Sequence, residues 1–279
     1  MKSGKNAAHP CRRALVYWVA AVLLSACAAA CKYSAERTLD RASAARQAGD
    51  YDAAVQLYER YLQGSPTGPE SLEARLQLAN VYYLNLHHYE DALAQYAELL
   101  NQSPADQAAP VARERMAGVL ADLGRSYEAI EEYEKLNPQD VTERRRIRLR
   151  IADLYFDQKN FSQALTEYAK VSDGADYDEL SEQAYLRQAS IYHLERTQYQ
   201  QALPIYQKIA STSSDPKVRQ RAILCIVDCY AAMYQYDEAI KTLRELKDPT
   251  QQSYITARIN DLEQQKRESE HGAGMVKRR

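Results

Sequence analysis

A short segment recurs six times along the chain, and this repeat limits the possible folds more than any other feature. One copy is Tyr51-Asp-Ala-Ala-Val-Gln-Leu-Tyr58 and another is Phe161-Ser-Gln-Ala-Leu-Thr-Glu-Tyr168. The alanines that the copies share are Ala54, Ala92, Ala129, Ala164, Ala202 and Ala239, at spacings of 38, 37, 35, 38 and 37 residues. A period of this length is typical of stacked supersecondary units that each contact mainly their neighbours.

A second small or apolar position lies about ten to thirteen residues before each shared alanine. These positions are Ala42, Ala79, Ala117, Ala152, Ala189 and Val227, and we call them the upstream small residues. A large residue follows most of them by three positions, on the same face of a helix. Each repeat is therefore predicted to be a pair of helices in contact through small residues. Gly49 and Gly124 lie between the two helices, where a left-handed residue commonly ends a helix.

The two sets of positions together resemble the tetratricopeptide repeat, whose unit is about 34 residues long. The resemblance covers residues 35–249 and implies an all-α fold, a right-handed superhelix (α-solenoid) of about six helix pairs. Nine Gly and nine Pro are too few for an all-β chain of 279 residues. Beyond Pro249, Ile255, Ile259 and Leu262 recur at helical spacing. Residues 250–267 are therefore predicted to form a capping helix, and residues 268–279 a flexible tail.

The N-terminus has the layout of an export signal. Four basic residues precede an apolar run, Ala14 to Leu24, that is too short to span a bilayer. The run ends in Leu24-Ser25-Ala26-Cys27, which resembles the lipobox of bacterial lipoproteins. The resemblance implies that residues 1–26 are a signal peptide, that Cys27 carries lipid and that residues 27–34 are a linker. In Gram-negative lipoproteins, Ala28 after the cysteine implies the periplasmic face of the outer membrane. An ordinary signal peptide cut at a nearby Ala-x-Ala is the alternative.

Composition and motifs exclude several classes of function. The formal net charge is -2, so no basic excess favours nucleic acid as a partner. The sequence contains no Gly-rich phosphate loop, Gly-x-Ser-x-Gly or His-Glu-x-x-His. Cys225 and Cys229 lie one helical turn apart without a cluster of further ligands, so they are interpreted as core residues and not as half of a metal site. No catalytic residue, metal site or cofactor is predicted, and the chain is expected to bind proteins and not to be an enzyme.

The predicted binding surface lies on the first helix of each pair, which carries the upstream small residue and which we call the upstream helix. In tetratricopeptide repeats these helices line the concave side, where partner peptides lie. Positions three before and four after the upstream small residues give an apolar and aromatic stripe: Leu76, Tyr83, Leu149, Phe156, Leu186, His193 and Leu224. Burial of this stripe between neighbouring repeats is the alternative. The basic run Arg144 to Arg150 is expected to pair with acidic residues such as Glu131, Glu132 and Glu134 in an adjacent helix, or else to bind an acidic partner or lipid headgroups.

A closer resemblance concerns the first repeats. Gly49-Asp-Tyr-Asp-Ala-Ala, together with the segment from Pro66 to Tyr83, is similar to the BamD-type lipoprotein subunit of the β-barrel assembly machinery. This resemblance implies a membrane-anchored scaffold that binds other envelope proteins or peptides and assists assembly of outer-membrane proteins. Two alternatives remain open. One is a pilotin-type lipoprotein that helps a secretin assemble, and the other is a periplasmic coordinator of division and peptidoglycan synthesis.

Overall fold

The computed structural model describes residues 33–105, 107–174, 176–246 and 251–276, with side chains to residue 271. In these ranges the chain forms helices and turns and no strand, which confirms the predicted all-α fold. The predicted signal peptide, Cys27 and most of the linker 27–34 lie outside the described residues.

The helices follow one another with short connections. In the described part of the chain they are α1 (33–47), α2 (Tyr51–Gly64), α3 (Pro69–Val81), α4 (Tyr89–Gln102), α5 (Ala109–Asp122), α6 (Ser126–Glu134), α7 (Val141–Asp157), α8 (Phe161–Ser172), α9 (Glu179–Ser190), α10 (Tyr199–Thr212), α11 (Pro216–Ala232), α12 (Tyr236–Glu245) and α13 (Gln252–Val276). Two π-helical turns, Tyr82–Leu86 and Ile191–Glu195, continue α3 and α9.

The chain divides into two compact units between Leu136 and Asn137. The first contains the helix pairs α1/α2, α3/α4 and α5/α6. The second contains α7/α8, α9/α10 and α11/α12, followed by α13. From α2 onward, each helix of a unit packs against the next one along the chain. The two units thus hold the six predicted helix pairs.

Small residues line the contact inside each pair. All six shared alanines have 0% exposure, and the upstream small residues are at most 1% exposed. This confirms the prediction that they are packing positions. In three pairs the tyrosine four residues after the shared alanine is almost fully buried, at Tyr58, Tyr96 and Tyr168. The Tyr96 and Tyr168 hydroxyls donate hydrogen bonds to Asn80 (2.8 Å) and Asp153 (2.6 Å) on the upstream helix, so each ring spans its pair and keeps its polar end satisfied.

The π-helical turns account for a difference in repeat length. The upstream small residue precedes the shared alanine by 13 residues in the second and fifth pairs, and by 12 in the other four. Only these two pairs contain a π-helical turn among the described residues, and in the fifth Arg196 N–H donates to the Ile191 carbonyl at 3.0 Å. A π-turn accommodates one extra residue within a helix. The insertion is therefore absorbed before the turn, and the following helix keeps its packing register.

The turn inside each pair contains a residue with positive φ. Gly49 and Gly124 hold this place as predicted, with φ of 80° and 73°. The other four pairs use residues other than glycine: His87, Lys159, Thr197 and Tyr234. A side chain in this region costs about 1–2 kcal/mol, so the packing of the pair holds these turns in a strained conformation.

The C-terminal helix differs in length from the prediction. Ile255 and Leu262 are buried in one cluster with residues of α12. However, α13 runs to Val276, past the predicted end at residue 267 and into the predicted tail. Residues 264–271 contain good helix formers and no proline, and Gln264 donates to Glu268 one turn away at 2.8 Å. These local interactions extend the helix beyond the part that α12 covers.

Replacing Lys159 by Gly is expected to stabilise the protein by about 1 kcal/mol, because glycine adopts a φ of 56° without the steric penalty. Gly124→Ala is the matched opposite change. Nothing lies within 4 Å of a Cβ placed at Gly124, so its expected loss of about 1 kcal/mol comes from the backbone alone. Urea unfolding measures both variants. Unchanged midpoints in both would show that these turns carry no strain.

Candidate functional site

The second unit contains an open cavity of about 690 Å³. Its walls come mainly from α7, α9 with its π-turn, and α11, which are the first helices of their pairs. The lining residues are Leu149, Asp153, Gln183, Leu186, Arg187, Ser190, His193, Leu194, Tyr206, Arg221, Ala222, Cys225 and Asp228. Three residues of the predicted stripe, Leu149, Leu186 and His193, therefore meet at one cavity.

The other residues of the stripe lie elsewhere. In the second unit, Phe156 is half-buried, with its ring against Phe161 and the Arg187 guanidinium, and Leu224 packs against the cluster that α13 covers. In the first unit, Leu76 is 7% exposed and Tyr83 is half-buried. The Tyr83 hydroxyl donates to Asp122 at 2.9 Å, and burial raises its pKa to about 12. The role of the stripe in binding remains a prediction.

His193 supplies an aromatic wall of the cavity. Its ring makes edge-on contacts with Tyr199 and Tyr206, at centroid distances of 5.5 and 5.8 Å. Burial lowers the pKa of His193, and in the described part of the chain its Nδ1 has no hydrogen-bond partner. The lowered pKa favours the neutral imidazole at pH 7, so the ring adds no charge to the cavity wall.

Leu194 is a lining residue that the sequence pattern did not identify. It lies five residues after Ala189, in the π-helical turn, and is 68% exposed. Leu84 occupies the same place in the other π-turn and is 47% exposed. At the equivalent position the remaining pairs have Gln47, Asp122, Asp157 and Ala232. Leu194 could have been identified from the extra residue in its repeat together with its large apolar side chain.

The sequence pattern also did not identify the charged residues of the cavity. Arg187 and Arg221 lie two and six residues before the upstream small residues of their helices. The carboxylate of Asp153 accepts the Tyr168 hydroxyl and lies 3.6 Å from Arg187 Nε. The carboxylate of Asp228 accepts from Arg258 of α13 at 3.1 Å. Both carboxylates thus have partners within the second unit.

The first unit has a similar cavity of about 450 Å³ with different charges. It is lined from equivalent repeat positions by Leu39, Ser43, Tyr58, Glu73, Ala74 and Gln77, among others. Glu73 takes the place that Arg221 has in the second unit, and it accepts a hydrogen bond from Gln77 at 2.7 Å. The fold thus forms the cavity from the same repeat positions, while the variable residues determine its charge.

Arg144, Arg145, Arg146 and Arg148 of the basic run bind partners within the second unit, and these partners differ from the expected ones. Arg146 and Arg148 bind Glu143 and Glu167. Arg145, whose side chain is only 13% exposed, donates to Asp178, to Ser181 Oγ and to the Val171 carbonyl. Of the expected partners, Glu132 instead binds Arg113 and Lys135. Most of this run is therefore structural, and its main contact is Asp178 at the N-terminus of α9.

The two cysteines of α11 and the lengths of the helices bear on metal and membrane binding. Cys225 is half-buried and Cys229 buried, both are free thiols, and burial raises both pKa values. Within the described ranges, no group of His, Cys, Asp and Glu side chains is arranged to hold a metal ion. Among the same residues, no helix has both the length and the apolar character needed to cross a membrane.

Comparisons with known proteins agree with this architecture. Residues 35–147 match the tetratrico peptide repeat family. A crystal structure of a tetratricopeptide repeat protein from Parabacteroides merdae is 18% identical, covering 84% of this chain and 88% of that one, with a TM-score of 0.54. The C-terminal part of a repeat-containing protein from Cytophaga hutchinsonii is 17% identical, covering 74% and 79%, with a TM-score of 0.55.

A further similar structure is that of YrrB, described as a tetratricopeptide repeat protein with an unusual peptide-binding site. It is 15% identical, covers 66% of this chain and 89% of that one, and has a TM-score of 0.50. A search of curated protein sequences gives no match. The helix pairs of this chain therefore have the tetratricopeptide-repeat fold.

Replacing Asp178 by Asn should cost about 1 kcal/mol at pH 7. Asparagine can still cap α9, but the shielded Arg145 loses its charged partner. The loss of stability stays small because the Asp178 side chain is 44% exposed and solvent screens the ion pair. The Arg145 guanidinium holds the pKa of Asp178 well below its usual range. A depressed carboxyl pKa stabilises the fold above the unfolded pKa of about 4, and this stabilisation is lost as pH falls further.

The difference between wild type and Asp178→Asn should therefore shrink below about pH 4. Urea unfolding at several pH values measures it. Asp140→Asn, at the N-terminus of α7, is the control, because that carboxylate caps its helix without an arginine hydrogen bond among the described residues. Equal losses for both variants at pH 7 would contradict a special role of the Arg145 pair.

Proposed function

We propose that this chain, with its tetratricopeptide-repeat fold, is a protein-binding scaffold of the bacterial cell envelope. Proteins of this fold generally act as interaction scaffolds. In our proposal, lipid on Cys27 holds the scaffold at the periplasmic face of the outer membrane. There it would assist assembly of outer-membrane proteins or complexes by binding exposed segments of its partners.

The cavity of the second unit is the observation that supports this proposal most directly. It is open, it is lined by Leu186 and the His193 ring, and the exposed Leu194 lies at it. Apolar and aromatic side chains around a concave site are typical of peptide recognition, in which a few anchors supply most of the affinity. YrrB offers a precedent, since a protein of the same fold is described as having a peptide-binding site.

The proposed location rests on the N-terminal sequence. The apolar run and Leu24-Ser25-Ala26-Cys27 match the lipobox pattern at each position. Several acyl chains on one residue would give a durable anchor, because each buried methylene contributes about 0.8 kcal/mol. The similarity of the first repeats to the BamD type favours barrel assembly over the secretin and cell-division alternatives.

Photo-crosslinking in cells tests the proposal. A photoreactive amino acid is placed at position 194, at the cavity, and separately at Tyr254, an exposed position on α13 of the same unit. The proposal expects position 194 to capture specific envelope proteins that position 254 does not. Barrel-assembly components would support the favoured role, whereas a secretin or division proteins would support the alternatives. Identical capture at both positions would contradict the cavity as a binding site.

Replacing Cys27 by Ala tests the anchor. The variant is expected to leave the membrane fraction or to accumulate unprocessed, because the lipid attachment site is gone. Its circular dichroism and urea unfolding should match wild type, since Cys27 lies before the first helix pair. A correctly processed variant that still sediments with outer membranes would contradict lipidation at Cys27.

A further inference from the structure

We propose that the cavity of the second unit recognises a peptide segment that carries carboxylates beside a large apolar residue. This inference rests on the proposed binding function and specifies the chemistry of the partner. It depends on which charged groups of the cavity already have partners in the folded chain and which do not.

The acidic residues of the cavity are engaged. Asp153 accepts the Tyr168 hydroxyl at 2.6 Å, and Asp228 accepts from Arg258 at 3.1 Å. Arg258 also binds Asp261 at 2.8 Å, so the Asp228 carboxylate belongs to a network that joins α11 to α13. These carboxylates hold the second unit together and are poorly placed to select a basic partner.

The arginines of the cavity are available. Arg221 is exposed and has no hydrogen bond or ion pair within the described part of the chain. The Arg187 side chain is 51% exposed, and its only ion pair in that part is the long 3.6 Å contact from Nε to Asp153. Its guanidinium lies 5.3 Å from the centre of the Phe156 ring, which orients it without using its hydrogen-bond donors. The donors left for a partner are therefore those of guanidinium groups, which prefer carboxylates.

Apolar residues line the same cavity as these arginines. Leu186 and Ala222 lie in the lining, and Leu194 is presented by the π-helical turn with 68% of its surface exposed. An exposed leucine beside a concave apolar surface gains most when a partner's apolar side chain covers it. The extra residue in the fifth pair thus places an apolar anchor next to two cationic groups.

The first unit provides an internal contrast. Its cavity has Glu73 where the second has Arg221, and Gln77 where the second has Cys225. The repeat position of Arg187 holds Asp40 in the first pair, and Arg46 replaces His193 beside Glu70 and Glu73. The preference for acidic segments is therefore assigned to the second unit and not to the fold in general.

Selection from a phage-displayed library of random dodecapeptides tests the assignment. The target is the full protein purified from membranes in detergent, and the strongest enriched peptide is then labelled and titrated by fluorescence anisotropy. Enriched peptides should carry at least two Asp or Glu and a large apolar residue. Affinity for the double variant Arg187→Gln, Arg221→Gln should fall by about tenfold or more, and binding should weaken with added salt. Leu194→Ser should also weaken binding.

Arg60→Gln, an exposed arginine on α2 of the first unit, is the control and should bind as wild type. Unchanged urea unfolding of the double variant excludes a loss of fold. Basic or uncharged enriched peptides, no enrichment, or equal affinity for the double variant would each overturn the assignment. Those results leave the proposed scaffold function standing if position 194 still captures envelope proteins in cells, so the two failures are distinguishable.

Discussion

The close contact between two helices at a pair of small residues is the constraint on which the rest of the structure depends. The shared alanines and the upstream small residues are completely or almost completely buried in every pair. A small side chain at both positions lets the backbones approach, and well-packed interiors leave no room for added methylene groups. The partly or fully buried tyrosines and leucines then pack around this contact. Since each pair repeats it, each unit is a succession of helix pairs joined by the same kind of contact.

The same constraint explains where the cavity of the second unit lies. One face of each upstream helix packs against the shared alanine of its pair. The residues on its other faces therefore line the space between successive pairs. Leu186 and His193 occupy those faces, while the helix contacts keep Ala189 out of reach. The π-helical turn adds to this arrangement, because it absorbs an extra residue and leaves Leu194 exposed while the next helix keeps its register. The one-residue insertion in the fifth pair thus leaves the packing intact and changes which side chain is exposed at the cavity.

The sequence predicted the fold well because its strongest pattern, the periodic small residues, is also the main packing contact. It predicted the lining of the second unit's cavity only in part. Residues three before and four after the upstream small residue could be placed by helical periodicity, but Arg187 and Arg221 vary between repeats and carry no periodic signal. The partner of Arg145 is Asp178, 33 residues away, which only the folded chain reveals. In the third pair, the position three residues before the shared alanine is Ser126, which is buried. The neighbouring Tyr127 is 63% exposed.

Comparing two alanines of α4 tests the central claim most directly. Ala92 is a shared alanine with 0% exposure, whereas Ala94 lies two residues further along the same helix and is exposed. Both are replaced by Leu, and the free energy of unfolding is measured in urea. If the small-residue contact determines the packing, Ala92→Leu loses about 1–3 kcal/mol, while Ala94→Leu stays within about 0.5 kcal/mol of wild type. Equal stability of the two variants would contradict the account.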